Sequence, residues 1–264
     1  MVFRCKCKEM FYFCAMKSKL ILFLLLLVAH LGRAQNQHFW DGIEDFDGPT
    51  SENPVLAAQI DFYFDKMVAP LPDSITLEIN RLIEKTEYNT DLRDFVLWHL
   101  LERYRHPEYM SQDQVFVWLY DNYFSRLEIT DLNEANLAMI RAKAEQLRRL
   151  ALFNKAPEFV INDSIGLPSI ESESTILFFY DHDCGRCSQE RQDLDSIVAQ
   201  HPEITLLAID MNTDDSRINP LFELYDIETT PLIFVLDYDK RIIAKKIRAK
   251  QIPLILPSSP TKQP

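Results

Sequence analysis

The stretch S-T-I-L-F-F-Y-D-H-D-C-G-R-C-S-Q-E-R-Q, Ser174 to Gln192, decides the fold of this chain. Ile176 to Tyr180 is an unbroken run of β-forming apolar residues and reads as a strand buried on both faces. Asp181, His182 and Asp183 end that run, and Asp183 is a good N-cap for a helix opening at or next to Cys184. Cys184 and Cys187 are three apart, so on a helix they share one face and their sulfurs can meet. A thiol in the first helical turn feels the positive end of the helix and its unpaired backbone N–H groups, and both favour the reactive thiolate. Strand, short turn and C-x-x-C opening a helix is the constellation that a dithiol–disulfide exchanger needs.

The pattern continues on both sides of this centre. Upstream, Ala156 to Ile161 reads as a short strand, and Asn162 to Gly166 as a turn cluster. Downstream, a helix from Cys184 to about Gln200 turns Leu194, Ile197 and Val198 inward, and Ile204 to Ile209 is a second buried strand. Asn219 to Tyr225 is a short helix and Pro231 to Leu236 a third strand. Asp237 to Lys240 is a hairpin turn, and Arg241 to Ile247 alternates as a fourth strand of the sheet. The order β–β–α–β–α–β–β gives an α/β layer fold with parallel and antiparallel neighbours.

On these residues the chain resembles the thioredoxin superfamily, and within it the exported TlpA-like thiol–disulfide oxidoreductases. A-P-E-F at 156–159 looks like the family's opening strand, and the next strand leads into C-G-R-C. Downstream comes Y-D-I-E-T-T-P-L-I-F-V-L-D, its proline forty-seven residues beyond Cys184, similar to the cis-proline segment, followed by D-K-R-I-I as the terminal hairpin. The resemblance covers about 100 residues. It implies that Cys184 attacks, that Cys187 resolves, and that the two form the active disulfide. It implies that Gly185 and Arg186 tune the couple, that Pro231 is cis beside the sulfurs, and that Thr230 offers backbone hydrogen bonds to a substrate peptide. Proline tolerates the cis form far better than other residues and presents no N–H near the thiols. No cofactor and no metal is expected.

Four departures stand out. Asp183 occupies the place of the aromatic residue that often precedes the first cysteine. Phe178 stands where thioredoxins bury a carboxylate, so a proton acceptor for the resolving thiol is missing there. Arg186 favours thiolate while Asp181 and Asp183 oppose it, and the sequence does not sign the sum. Pro253 and Pro257 break the place of the family's last helix, which is therefore short or absent, with a disordered tail over 253–264.

The amino-terminal half reads as helices only. Asn53-Pro54 starts one that carries Leu56, Ile60, Tyr63 and Met67. Asp73 or Ser74 caps a second, with Leu77, Ile79, Leu82 and Ile83. Asn89 to Asp91 precedes a third, with Leu92, Phe95, Val96, Leu100 and Tyr104. Ser111 to Gln114 has the form of a capping box before Val115, Trp118, Leu119 and Phe124. A fifth helix, about Leu132 to Leu150, is rich in strong helix formers. The dense aromatics from Phe95 to Phe124 read as core or as a groove. His99 and His106, seven apart, could share a helix face but lack a third ligand. This half looks like an uncharacterised helical domain found ahead of thioredoxin domains in Bacteroidetes proteins. The fold class is thus α+β in two domains, an all-helical domain at 53–150 and a thioredoxin-like domain at 151–252 with a central mixed sheet flanked by helices.

The first 34 residues look like a secretion signal: Lys17 and Lys19, then the apolar run Leu20 to Ala29, then small residues at Gly32-Arg33-Ala34. Cleavage near Ala34 places the chain in the periplasm or outside the cell, with a loose leader over 35–52. Met16, just before the charged start, is an alternative initiator to Met1. Ten apolar residues are few for a membrane span, so no stable insertion is expected after cleavage. Cys5, Cys7 and Cys14 all precede the cut, which leaves Cys184 and Cys187 as a lone pair in an oxidising compartment, more chemical than structural. The formal net charge of −12 argues against a nucleic-acid partner. Losing six basic residues and one acidic residue with the signal leaves 22 basic and 39 acidic, a balance of −17.

The first functional reading is an exported thiol–disulfide oxidoreductase acting on protein thiols and disulfides. A reducing direction fits the TlpA-like resemblance and requires an electron donor such as a membrane protein. The second is a non-catalytic binding or redox-sensing module whose helical domain recruits a partner. The third is a carrier of a soft ion such as Cu(I) on two thiolates, with His182 alone nearby. Ser188 after Cys187 excludes a haem attachment site.

Overall fold

A computed structural model describes residues 38–42, 54–126, 129–130, 132–162 and 165–256. The expected secretion signal, Cys5, Cys7, Cys14, most of the expected leader and the end of the chain lie outside the described residues. Two compact units divide the chain at Pro49. In the first, Phe39–Gly42 is a 3₁₀ turn with a buried Trp40.

The second unit begins with five helices: α1 Pro54–Lys66, α2 Pro72–Lys85, α3 Thr90–Arg103, α4 Asp113–Asn122 and α5 Glu134–Arg149. Leu56, Ile60 and Tyr63 of α1 are buried as their spacing predicts, but Met67 lies past the helix and is exposed. In α2 the buried stripe is Ile75, Ile79 and Leu82, which leaves Leu77 on the solvent face. That helix starts at Pro72 with Leu71 as N-cap, so neither Asp73 nor Ser74 caps it; the fixed φ of proline suits the first helical position. Asn89 caps α3, its side chain accepting the N–H of Leu92 at 3.1 Å. The expected capping box at Ser111 does not form. Gln112 is the N-cap, and the Gln114 amide is drawn to the carbonyl of Leu147 at 3.2 Å instead.

The sheet-bearing half follows. Strands β1 Val160–Asn162 and β2 Ile165–Gly166 form a small antiparallel hairpin. The strand expected at 156 therefore begins four residues later; Ala156 instead donates its N–H to the carbonyl of Lys240. The main sheet holds β3 Ser174–Tyr180, β4 Ile204–Asp210, β5 Leu232–Leu236 and β6 Ile242–Lys245, in the order β4-β3-β5-β6. β3 runs parallel to β4 and antiparallel to β5, and β5 is antiparallel to β6. Between them come helix α6 Gly185–Gln200 and the short α7 Asn219–Leu224. A 3₁₀ segment, Ala249–Leu254 with Pro253 inside it, closes the described chain and buries Ile252.

Strand alternation sorts the core into two faces. Leu177 and Phe179 pack with Tyr225, Leu232 and Phe234 on one side of the sheet. Ile176 and Phe178 pack with Cys187, Leu194, Ile233, Val235 and Ile252 on the other. Each such large side chain contributes about 1.5–3 kcal/mol on burial. β3 is central and buried on both faces, as its unbroken apolar run dictates. β4, read from the sequence as equally buried, is an edge strand whose Thr205 to Ala208 are half-buried. An apolar run alone does not tell edge from centre.

Candidate functional site

Sheet register builds the site. Phe179 of β3 pairs with Leu232 of β5, so the end of one strand lies beside the start of the other. The first continues into the cysteine helix, and the second is preceded by Thr230-Pro231. The antiparallel pairing thus carries a segment more than forty residues distant in sequence onto the two sulfurs. The Thr230–Pro231 peptide bond is cis, and the Thr230 side chain acts on the Cys187 thiol by lowering its pKa.

At the turn, Cys184 itself is the N-cap of α6, in extended conformation, its Sγ accepting the N–H of Cys187 at 3.3 Å. The cap expected of Asp183 is therefore taken by the sulfur. The Asp181 carboxylate accepts the N–H of Asp183 at 2.8 Å and the amide of Asn212 at 3.1 Å. The Asp183 carboxylate meets the same amide at 3.3 Å and His182 at 3.6 Å. Both carboxylates have partners other than the thiols, and His182 is held by Asp210 at 2.7 Å, which raises its pKa.

The balance that the sequence left unsigned falls on the side of thiolate at Cys184. A hydrogen bond from the Cys187 thiol lowers its pKa most, helped by the backbone N–H of Cys187 and by the N–H and charge of Arg186. Cys187 is buried, and desolvation pushes its pKa up. Both cysteines are free thiols in this structure. An accessible sulfur biased toward thiolate beside a buried one kept as thiol is the asymmetry that dithiol–disulfide exchange requires.

Gly185 opens the helix with open space where a Cβ would stand. The Arg186 guanidinium reaches across to the carbonyl of Thr230 at 3.2 Å. Phe178 is fully buried, stacked on Tyr180 with ring centroids 5.3 Å apart, on the same face of the sheet as Cys187. An apolar ring thus fills the position from which a carboxylate was missing.

Several neighbours were not singled out from the sequence. Glu190, one turn beyond Cys187, is buried and bound by the Nε of Arg248 and the N–H of Ala249 at 2.7 Å. Lys143 of α5 reaches Asp226 at 2.6 Å and Glu228 at 2.5 Å, and Lys246 reaches Asp226 at 3.1 Å. His106 lies beyond the end of α3 and pairs with Glu228 at 3.2 Å, while His99 pairs with Asp61 at 3.0 Å. The two histidines share no helix face. Among the described residues no three His, Cys, Asp or Glu side chains are placed to hold a metal ion, and no helix is long and apolar enough to cross a membrane.

No family model matches the sequence, and no curated protein matches it. Solved structures do. A thioredoxin-like protein from Bacteroides caccae superposes with a TM-score of 0.63 at 15% identity, over 81% of this chain and 88% of that one. A share of 81% is more than the sheet-bearing half alone can supply. A domain of a possible thiol-disulfide isomerase from Cytophaga hutchinsonii matches at 27% identity and a TM-score of 0.34, over 39% of this chain and 89% of that one. The thioredoxin domain of a thiol-disulfide oxidoreductase from Bacteroides vulgatus matches at 16% and 0.36, over 40% and 99%. The sheet, the cysteine helix and the cis-proline strand together are a thioredoxin-like fold.

Proposed function

We propose, from the premise of a thioredoxin-like fold, that this protein is an exported thiol–disulfide oxidoreductase that reduces disulfides in protein substrates. The observation that carries the reading is the asymmetry of the two sulfurs, Cys184 capping the helix and biased toward thiolate, Cys187 buried and biased toward thiol.

The chemistry follows from that asymmetry. The Cys184 thiolate attacks one sulfur of a substrate disulfide. The substrate S–S bond breaks, a Cys184–substrate mixed disulfide forms, and the other substrate sulfur leaves as thiolate and takes a proton from water. Cys187 then gives up its proton and attacks the Cys184 sulfur. That closes the Cys184–Cys187 disulfide and releases the second substrate thiol. Two electrons pass from the protein to the substrate, and a dithiol donor must return them. A membrane protein is the proposed donor, and the periplasm or cell exterior the proposed location, on the strength of the apolar run at 20–29.

Thr230 and Pro231 hold the substrate in this reading, and Gly185 and Arg186 shape the couple. Reduction of insulin by the protein with dithiothreitol as donor tests it, against Cys184→Ala as blank. Turnover well above the blank is the expected result. No turnover above the blank in the parent would instead favour a non-catalytic binding module, a reading to which the buried Phe178 lends weight.

A further inference from the structure

A cavity of about 390 Å³ opens beside the cis-proline. Arg186, Pro231, Lys246 and Arg248 line it, together with His106 and Pro107 from the helical half. Its carboxylates are already committed. Glu190 is held by Arg248 and the N–H of Ala249, Asp226 by Lys143 and Lys246, and Glu228 by Lys143 and His106. The cations are not all matched. Lys246, Arg186 and Arg248 line the cavity, and Lys143, outside its lining, also binds Asp226 and Glu228, in a chain whose formal charge is −12. The odd cation is Arg186. Among the described residues it has no carboxylate partner, and its guanidinium donates to the neutral carbonyl of Thr230 at 3.2 Å.

That carbonyl is half of the backbone pair which an extended substrate segment would engage in the function proposed above, on which this inference rests. A substrate backbone N–H taking the Thr230 carbonyl displaces the guanidinium. The freed Arg186 then faces the cavity that it lines. We infer that this cavity is a specificity subsite for an acidic side chain on one flank of the substrate cysteine, read by Arg186 with Arg248 behind it. A carboxylate offers the displaced guanidinium a charge-assisted, bidentate bond in place of a neutral one. His106 and Pro107, which line the cavity, give the helical half a part in substrate choice. A segment that pairs through the Thr230 backbone runs in one direction, so only one flank of its cysteine lies over the cavity.

Pre-reduced protein mixed with short synthetic peptides dimerised through one disulfide tests this without any electron donor. Two series carry Glu, Gln or Lys on the amino-terminal or the carboxyl-terminal side of the cysteine. The second-order rate constant for release of peptide thiol is the readout. In one series only, the Glu peptide should react about threefold to tenfold faster than the Gln peptide, as a single added charged hydrogen bond implies. Arg186→Gln should bring that ratio near one, and Arg186→Glu should turn the preference toward Lys. Equal rates within both series, equal preference on both flanks, or a Glu preference that survives Arg186→Glu overturns the subsite while leaving the redox reading in place. No reduction of any peptide above the Cys184→Ala blank overturns both.

Discussion

The Sγ of Cys184 accepts the backbone N–H of Cys187 at 3.3 Å, so one cysteine caps the helix that the other lies inside. A cap whose sulfur is biased toward thiolate ties local folding to reactivity. The bond that completes the first helical turn is stronger when the sulfur is charged, and the charge is favoured where that bond is made.

The largest cause of the lowered Cys184 pKa is the hydrogen bond from the Cys187 thiol, which stabilises the thiolate form. Removing that donor in Cys187→Ala should therefore move the Cys184 titration upward, even though the backbone cap remains. Ultraviolet thiolate absorbance followed against pH measures this directly. The parent should titrate Cys184 first, below the ordinary thiol range, and Cys187 later, above it, because burial opposes charge there. The two midpoints belong to the coupled pair rather than to either sulfur alone. A Cys184 midpoint that is the same in both proteins would remove the thiol-to-thiolate bond from the account.

What could be read in the sequence was what is local. The run at 176–180, the C-x-x-C beyond it and the T-P strand are short-range patterns, and each stands where it was expected. The S-x-x-Q box failed because Gln114 found a carbonyl at Leu147, 33 residues away, worth more to it than a cap. Leu77 kept helical spacing yet faces solvent, since Ile75, Ile79 and Leu82 already fill the inner stripe of α2. Glu190, Asp226 and Lys245 were passed over for one reason. Each is charged and reads as surface, and only the fold supplies partners 59, 83 and 132 residues away that let it be buried.

Asp226 shows how such a residue is held. Its backbone has φ of 55°, and its buried carboxylate takes Lys143 at 2.6 Å and Lys246 at 3.1 Å. Removing the carboxylate leaves Lys143 buried with only Glu228 to face it. Asp226→Ala should cost toward the lower end of the ~3–5 kcal/mol found when one partner of a buried pair is removed. Alanine is also strained at positive φ, where asparagine is tolerated, so Asp226→Asn should lose about 1 kcal/mol less. Urea denaturation of the two variants separates backbone strain from lost charge. Equal losses would mean that the conformation at 226 carries no weight.

Lys245 and Asp113 form the deepest of these ties. Both side chains are 1% exposed. The Lys245 ammonium also donates to the carbonyl of Leu150 at 2.5 Å, so β6 is joined to the start of α4 and to the end of α5. Lys245→Met leaves Asp113 buried without a counter-charge and should cost about 3–5 kcal/mol, whereas Lys245→Met with Asp113→Leu should cost much less than the two single changes combined. The pH dependence has a definite sign. Burial lowers the Lys245 pKa below its ordinary 10.5, against the pull of Asp113. Between the folded value and 10.5 the unfolded chain binds the proton more often than the folded one, so the contribution of this lysine to stability rises with pH across that window. The stability gap between parent and Lys245→Met should accordingly widen as pH climbs toward 10.5, and urea unfolding at a series of alkaline pH values would show it. A gap that narrows there would place Lys245 in a wetter site, with Asp113 rather than burial ruling its charge.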